Sequence, residues 1–497
     1  MRSIFMEYNK TVERLSGSIF IGGELQKVNN REQMQVHNPA TMKIIGHIPA
    51  CEEQEVEAAA ASAAAAKAPW ANTPAAKRGG LLQACARIIS DHAEELAMIM
   101  SYETGKALRT ESRVELGVVG DIFSFYGGLA LELKGDTIPF SPDMLTFTLR
   151  EPIGVVGAII PWNVPLMLMA TKVAPALAAG NTVVLKPSPE ATFCVLRAVE
   201  LLHKILPAGV LNVITGGAAS GSSLVAHPHV EKIAFTGSVD TGRKVYQTAA
   251  NKIIPVTLEL GGKSPMIICA DADLDLAVKS VFEGMRFTRQ GQSCSASSRL
   301  LVHADLHDSF VAKLLAHIDT MIMGDPMDEQ TDIGTIISER QFDTVQSFLK
   351  IAEADPDLKV HYATKMPTEA HLARGLFTRP AIITGLHNDH VICQKEIFGP
   401  VAAIVKWREF DEAIQIANST EFGLAAGIWT RDLPRALQAV KRLEAGFVQV
   451  NQYIVFRPSL PFGGYKNSGL GKEASLNSML EQYTKEKTVI INTALSV

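Results

Sequence analysis

Apolar runs alternate with helical patterns through the middle of the chain. Residues 155–160 form a continuous apolar run, a helical pattern follows at 167–179, and further strand-like runs lie at 182–185 and 232–235. Continuous apolar runs of this kind are typical of parallel strands that are covered on both faces. The alternation predicts an open, doubly wound α/β sheet, which binds its ligands at the carboxyl ends of the strands.

A second alternating series begins after Glu259. Strand-like runs at 266–268 and 298–302 are separated by a helical pattern at 273–288, and another helical pattern covers 306–321. The series predicts a second α/β domain. Its later elements are expected at 399–405, 411–418, 425–429 and 433–443.

The N-terminal part of the chain has mainly helical patterns. An alanine-rich segment at 52–68 is a strong helix former, and Pro69 is expected to end it. Apolar residues at helical spacing continue over 78–108 and again over 114–131. A strictly alternating pattern at 145–150 instead predicts a strand outside the two α/β series.

The charge and the cysteine content exclude several classes of function. The chain of 497 residues has a net charge of -5 and 47% hydrophobic residues, so nothing favours binding to nucleic acid or to an anionic membrane. We see no secretory signal and no run that is long and apolar enough to span a bilayer, and we expect a cytoplasmic protein. The 6 cysteines include no Cys-x-x-Cys pair, so neither a metal centre nor a disulfide framework is predicted.

Two short stretches carry the residues of a nucleophilic site. Cys294 lies among small residues in the stretch 290–296, which leaves room for a tight turn and an open thiol. Glu259 ends an apolar run and is followed by two glycines. A thiol needs a base or a favourable field to become the reactive thiolate, and this carboxylate is a candidate base. Taken alone, however, a free cysteine is more often a buried structural residue.

Further motifs with glycine, proline or isolated polar residues accompany these two stretches. They are Ile159–Pro165, Lys186–Glu190, Phe235–Ser238, Lys395–Pro400 and Pro461–Gly469. Together, in this order, the motifs resemble those of the aldehyde dehydrogenase superfamily, and the resemblance runs from about Val36 to about Ile491. Any one motif is weakly specific, whereas the ordered set is highly specific.

The resemblance implies a fold with three parts. A Rossmann-type parallel-sheet domain for the cofactor would comprise residues 1–131 and 151–258, and an α/β catalytic domain residues 259–470. A small β oligomerisation element would comprise residues 132–150 and 471–497, with a strand from the tail as the partner of the strand at 145–150. Such exposed strand edges need pairing, so a homodimer or homotetramer is expected.

The oxidation of an aldehyde to an acid requires a nucleophile, oxyanion donors, a base for water and a hydride acceptor. Cys294 would form the hemithioacetal, while the Asn163 amide and the Cys294 N–H would hold the oxyanion. Glu259 would activate water for thioester hydrolysis, with a pKa raised by apolar surroundings. Family resemblance gives the same roles, and adds Lys172 and Glu473 as residues of proton movement or site geometry. The alternative for these two is a helix-face lysine and a surface glutamate.

The resemblance also implies an NAD or NADP site, although no Gly-x-Gly-x-x-Gly fingerprint opens the first domain. Lys186 would contact the adenosine ribose, Gly237 and Ser238 the pyrophosphate, and Glu396 the nicotinamide ribose, with Phe398 packing nearby. The family usually has a glutamate at the third position after this lysine, whereas here that position is a proline and the acid is Glu190. NADP therefore becomes possible, and NAD is slightly favoured. The other cofactor-site candidates are Ile159, Pro161, Trp162, Ser188, Gly217, Phe235 and Gly261.

The substrate funnel is placed by resemblance alone. Its candidates are Val164, Met167, Leu168, Thr171, Thr288, Ser293, Phe456, Arg457 and Phe462. Val164 and Thr171 stand where larger aromatic residues are common in the family, which favours an aromatic or longer-chain aldehyde. Arg457 could instead meet the carboxylate or sulfonate of a semialdehyde, or be a solvated loop residue. Arg289, where the family usually has asparagine, could orient the catalytic loop, pair an anion or make a scaffold contact.

Two alternatives to hydrolytic aldehyde oxidation follow from the same motifs. A CoA-acylating relative would release the thioester to CoA, but Glu259 argues against it because hydrolysis needs that base. A catalytically silent structural homologue would not need Cys294, Glu259 and Asn163 together.

Overall fold

The computed structural model describes residues 2–453 and 456–494 of the chain. The last three residues of the predicted tail, 495–497, lie outside the described residues. The helices are α1 (Arg2–Leu15), α2 (Glu53–Ala71), α3 (Ala75–Asp91), α4 (Ala93–Thr104), α5 (Arg113–Leu129), α6 (Pro165–Ala178), α7 (Phe193–Leu202), α8 (Ala218–Ala226), α9 (Val239–Ala250), α10 (Leu274–Met285), α11 (His307–Asp319), α12 (Glu339–Ala354), α13 (Val391–Gln394), α14 (Phe410–Asn418), α15 (Leu433–Arg442) and α16 (Leu476–Tyr483). Short 3₁₀ turns lie at Ala130–Glu132, Pro189–Ala191, Phe287–Arg289 and Ala370–Leu372, and a π turn at Leu108–Ser112.

The strands fall into two large sheets and three small ones. They are β1 (Ser18–Ile21), β2 (Glu24–Lys27), β3 (Gln33–Asn38), β4 (Lys43–Pro49), β5 (Thr137–Ser141), β6 (Met144–Pro152), β7 (Val155–Ile159), β8 (Thr182–Lys186), β9 (Leu211–Val213), β10 (Val230–Thr236), β11 (Val256–Glu259), β12 (Pro265–Ile268), β13 (Arg299–His303), β14 (Lys359–Tyr362), β15 (Ala381–Thr384), β16 (Val401–Trp407), β17 (Phe422–Gly423), β18 (Ala425–Trp429), β19 (Phe447–Val450), β20 (Tyr465–Lys466), β21 (Gly469–Leu470) and β22 (Thr484–Asn492).

The first large sheet confirms the predicted doubly wound arrangement. Its order is β2-β1-β9-β8-β7-β10-β11-β21, and the five strands from β9 to β11 run parallel. The hydrophobic side chains of β7, β8 and β10 are buried because helices pack on the sheet. Lys186, Thr236 and Glu259 are the last residues of β8, β10 and β11, so they lie on one rim at the carboxyl ends of the strands.

The second large sheet confirms the second α/β series. Its order is β14-β15-β16-β13-β12-β18-β19, and every pairing is parallel except the edge pair β14–β15. Cys294 lies in the loop between α10 and β13, as the sequence predicted. The domain boundaries inferred from the sequence remain predictions.

A three-stranded sheet of order β22-β6-β5 stands apart from both. The predicted strand at 145–150 extends to Met144–Pro152, and it pairs along its whole length with β22 of the same chain. The tail thus supplies the partner strand, as expected.

Three predictions for the helical region are wrong. Helix α2 continues through Pro69 to Ala71, because a proline near the last turn removes a single backbone hydrogen bond while the N–H of Asn72 still bonds to the carbonyl of Ala68 at 3.0 Å. The pattern at 78–108 is two helices, since the chain breaks at His92 between α3 and α4. No helix was predicted for residues 2–15, which form α1.

The expectation that no run could cross a membrane is also wrong by length and composition. The helical run Leu108–Glu132 has 25 residues with a mean hydropathy of 1.4 in its most apolar window, and half of that window is buried. Leu116, Val119 and Phe123 of this run belong to the main hydrophobic core, and α5 packs against α3 and α6. Its apolar residues therefore have a place inside the fold.

Candidate active site

The loop that carries Cys294 begins with two residues in the left-handed region. Gln290 and Gly291 have φ angles of 56° and 64°. A Cβ on Gly291 would lie 2.0 Å from the carbonyl oxygen of Gly399, so only glycine fits. The turn presents Cys294 at the cavity described below, and this thiol is part-exposed whereas the other cysteines of the chain are buried.

The surroundings of Cys294 favour the neutral thiol. Burial raises its pKa to about 12, and the nearby carboxyl groups of Glu396 and Glu259 act in the same direction. The free protein therefore holds a protonated thiol near neutral pH. A reaction at this sulfur needs a base or a bound group that stabilises the thiolate.

Glu259 has the burial and the raised pKa that suit a general base. It is 4% exposed, and neither carboxyl oxygen has a hydrogen-bond partner among the described residues. Burial raises its pKa well above the usual range, and the charge of Glu473 adds to the effect, while Lys172 and Lys472 oppose it. A carboxyl group of this kind can accept a proton near neutral pH.

Lys172 and Glu473 form a buried ion pair beside Glu259. The Lys172 Nζ donates to Glu473 Oε1 at 2.7 Å, and the two side chains are 0% and 6% exposed. The alternative interpretation of Glu473 as a surface glutamate is therefore wrong. Because the pair is buried, the charge of Glu473 is felt at Glu259.

Asn163 forms hydrogen bonds through both its side chain and its backbone. Its Nδ2 donates to the backbone carbonyl of Gln292 at 3.2 Å, which ties it to the Cys294 loop. Its own backbone carbonyl accepts from Lys106 Nζ at 3.2 Å, and Lys106 is paired with the buried carboxylate of Glu115. Glu115 also accepts from two backbone N–H groups of the first turn of α6, at 2.9 and 3.0 Å. Nothing in the local sequence pattern marks Lys106 and Glu115 as residues of the site.

Cys294, Glu259 and Asn163 line one cavity of about 300 Å³. This volume is at the small end of the range for ligand pockets. Most of the predicted substrate residues line the same cavity, namely Val164, Met167, Leu168, Thr171, Ser293, Phe456, Arg457 and Phe462. Thr288 is the exception, because its hydroxyl donates to the buried Glu111 and the residue does not line this cavity.

Three arginines lie at the cavity, in different states. Arg289 Nε donates to Glu111 Oε2 at 2.7 Å and both side chains are largely buried, so Arg289 makes a scaffold ion pair. Arg457 is 63% exposed, 4.0 Å from Asp121. Arg286 lines the cavity and was missed; the only signal in the sequence was its place shortly before the Cys294 loop.

Several of the predicted cofactor residues lie at or next to the rim of the first sheet. Burial lowers the pKa of Lys186 to about 8 and raises that of Glu396 to about 7. The backbone N–H of Gly262 donates to Glu396 at 2.9 Å, and a Cβ on Gly261 would lie 2.2 Å from a Glu396 oxygen. The rings of Trp162 and Phe398 meet edge to face at 5.3 Å.

The start of α9 lies on the same rim. Ser238 caps this twelve-residue helix and accepts from the N–H of Thr241 at 3.4 Å, so its free N–H groups offer an anion site after Gly237. Gly217 opens α8, and a Cβ there would meet open space. Ile159 and Phe235 are in β7 and β10, and Pro161 follows β7.

Glu190 is engaged locally. It accepts from the Ser188 hydroxyl, and Arg340 lies 3.6 Å away from its other oxygen. This carboxylate also stabilises the charge of Lys186. No cluster of potential metal ligands occurs among the residues that were described.

Comparisons with known proteins agree with this geometry. The model of the family described as "Aldehyde dehydrogenase family" matches residues 26–489. A hydroxyisobutyraldehyde dehydrogenase from Mycolicibacterium austroafricanum is 37% identical over 476 residues, covering 95% of this chain and 93% of the relative. The structure of a betaine aldehyde dehydrogenase from Staphylococcus aureus with NAD+ has a TM-score of 0.93 at 33% identity, covering 99% of this chain and 97% of that one. An aldehyde dehydrogenase from Bacillus cereus, also with NAD+, has a TM-score of 0.93 at 34% identity over 97% and 98% of the two chains.

Proposed function

The chain belongs to the aldehyde dehydrogenase family and is an oxidoreductase that acts on aldehydes, and from this premise we propose how its residues carry out the reaction. Cys294 is the nucleophile that adds to the aldehyde carbon. Asn163 Nδ2 and the Cys294 N–H stabilise the oxyanion of the hemithioacetal. The observation that carries the proposal is that Cys294, Asn163 and Glu259 line one cavity.

Glu259 is the base of the hydrolytic step. It accepts a proton from the water that attacks the Cys294 thioester, which releases the carboxylic acid and regenerates the thiol. Its burial and its lack of hydrogen-bond partners within the described residues suit this role, because they raise its pKa towards neutral pH. Lys172 and Glu473 position this carboxyl group through their charges.

NAD or NADP, with NAD slightly favoured, is the cofactor that we propose; when bound, it accepts the hydride of the hemithioacetal. The residues present fit such a group. The close approach of Glu396 to Gly261 forms a cradle that a side chain would fill, and the start of α9 offers N–H groups to a pyrophosphate. Lys186 and Glu396 would hold the two riboses. The relatives from Staphylococcus aureus and Bacillus cereus, whose structures contain NAD+, support this choice.

For the substrate we propose an aromatic or longer-chain aldehyde. Phe456 and Phe462, whose rings meet edge to face at 5.8 Å, give the cavity an apolar aromatic wall. Val164 and Thr171 leave space beside it. A carboxylated aldehyde is the second candidate, because arginines also line the cavity.

The decisive experiment is aldehyde-dependent NADH formation by the Cys294→Ala variant. We expect no turnover and unchanged cofactor binding, because the thiol acts only on the aldehyde. Cys85→Ala, which removes a buried thiol from α3, is the matched control and should keep its activity. Turnover near the wild-type rate without Cys294, or a requirement for CoA, would overturn the proposal.

A further inference from the structure

Arg286 presents an unpaired positive charge to the substrate cavity. It lies at the end of α10 with a φ angle of 54°, and its side chain lines the cavity together with Cys294. The guanidinium has no hydrogen bond or salt bridge to any residue that the structure describes. A guanidinium carries five N–H donors, so this one is a charged group whose donors are directed towards no part of the described protein.

The carboxylates around Arg286 do not neutralise it. Glu111 already forms the ion pair with Arg289 and accepts from the Thr288 hydroxyl. Glu283 acts on Arg286 only through its charge, because its side chain makes no salt bridge within the described chain. The positive charge of Arg289 adds to that of Arg286.

The acids that line the cavity are compensated as well. Glu115 is paired with Lys106 and Glu473 with Lys172. Burial and the charge of Glu473 raise the pKa of Glu259 well above the usual range, which disfavours its charged form. Burial lowers the pKa of Arg286 to about 10, so this residue stays charged near neutral pH. Arg286 therefore lines the cavity without an ion pair to any described side chain.

We propose that Arg286 binds a carboxylate of the substrate, so that the enzyme oxidises an aldehyde that also carries an acid group. A buried charge is costly unless it is paired. A substrate carboxylate would accept two parallel hydrogen bonds from the planar guanidinium group of Arg286. This inference rests on the proposed function of the cavity. It unites both substrate candidates, because the phenylalanine wall holds the apolar body while Arg286 holds the charged end.

Arg457 is the weaker candidate for the same role. Its side chain is 63% exposed and has Asp121 within 4.0 Å, so water and a carboxylate already compensate its charge. An exposed ion pair contributes little to binding. Arg457 is thus a matched control: an arginine at the same cavity whose removal should not affect carboxylate recognition.

The test compares aldehydes in pairs that differ only in the acid group. The pairs are succinic semialdehyde with butanal, glutaric semialdehyde with pentanal, and para-carboxybenzaldehyde with para-methylbenzaldehyde. In at least one pair the wild type should favour the acid by about tenfold or more in kcat/KM. Arg286→Met should lose this preference through a higher KM for the acid, with kcat/KM for the neutral aldehyde within about threefold of wild type. Arg457→Met should keep the preference.

A second variant, Arg286→Lys, keeps the charge but not the planar fork, and should retain only part of the preference. The inference is overturned if the wild type shows no preference in any pair, if Arg286→Met keeps it, or if Arg457→Met removes it. Whether the wild type prefers the acid can be measured even if a variant fails to fold. Oxidation of neither member of any pair by the wild type would instead reject the proposed function itself.

Discussion

At the scale of single residues, the chemistry depends on two acids whose pKa values the fold raises, the thiol of Cys294 and the carboxyl group of Glu259. Burial raises the pKa of both groups, and the charge of Glu259 raises the pKa of the Cys294 thiol further because two negative charges side by side repel. Deprotonation of one therefore opposes deprotonation of the other. The thiolate must form when other groups have entered the cavity, so the free enzyme should be weakly reactive.

Alkylation by iodoacetamide measures that reactivity directly. In the free enzyme the rate at Cys294 should rise about tenfold per pH unit between about pH 7 and pH 9, because only the thiolate reacts and the pKa of the thiol lies above this range. Mass spectrometry of the native protein locates the label. Cys294→Ala should remain unlabelled, since the other cysteines are buried. A rate that levels off near pH 7 would mean that the thiolate already exists in the free enzyme.

Glu259→Gln should separate the two halves of the reaction. Hydride transfer needs the thiolate, whereas hydrolysis needs a base for water, so rapid mixing should give a burst of NADH and then a steady state slowed by about 10²-fold or more. The wild-type steady state should rise with pH above the usual carboxylate range, because the raised pKa delays formation of the base; the variant should lose this rise. Equal slowing of both phases would make Glu259 an activator of Cys294 instead.

The sequence singles out these residues but does not give their protonation states. Cys294, Glu259 and Asn163 were identifiable because short motifs surround them, and the structure brings all three to one cavity. Arg286 and Thr288 show what the local sequence could not predict. Whether a side chain faces the cavity depends on the left-handed turn at Arg286 and on the position of Glu111, which is distant in sequence.

At the scale of elements, a buried ion pair between Lys106 and Glu115 links the first turn of α6 to Asn163, whose side chain bonds to the catalytic loop. Glu115 on α5 caps α6, Lys106 joins this carboxylate to the backbone of Asn163, and the Asn163 side chain reaches the Cys294 loop. The side chains of Lys106 and Glu115 thus hold the proposed oxyanion donor, Asn163, in place. We regard Lys106 and Glu115 as positioning residues.

Lys106→Met should lower both stability and kcat. It leaves Glu115 buried without its partner, which costs about 3–5 kcal/mol in the free energy of unfolding, measured by denaturant titration. The loss in kcat should exceed the change in KM, because Asn163 acts mainly in the transition state. The control is Lys313→Met, which removes an exposed ion pair with Asp275 and should cost at most about 1 kcal/mol. The double variant Lys106→Met with Glu115→Gln should recover part of the stability; no recovery would mean that the pair is not coupled.

Elements were predictable where the period was clear. Several strands of both large sheets were recognisable as apolar runs, among them β7, β8, β12 and β13, and the ends of β8, β10 and β11 form the expected rim. Helix limits were less accurate, because the end of α2 and the break at His92 depend on single hydrogen bonds and on packing that a periodic pattern does not encode.

At the scale of the whole molecule, the three-stranded sheet leaves apolar side chains exposed in the single chain. Leu145 and Leu149 of β6 and Ile491 of β22 share a face, because Leu145 is directly opposite Ile491 and residues two apart in a strand point the same way. All three are exposed in the monomer, at 46%, 43% and 44%. Apolar patches of this kind on a projecting sheet mark an interface. We therefore propose that it pairs with another subunit and that the protein is at least a homodimer.

The double variant Leu145→Glu with Leu149→Glu should dissociate the assembly. Light scattering after size-exclusion chromatography should give a mass of at least twice 53.7 kDa for the wild type and a smaller one for the variant. Charges on this face cost binding free energy because they would be buried without partners. Leu437→Glu, on the exposed side of α15, is the control and should keep the wild-type mass. Since no residue of this face lines the cavity, the dissociated variant should still be alkylated at Cys294 as the wild type is. A wild type that is monomeric at micromolar concentration would contradict the proposed assembly and leave the chemistry of the cavity untouched.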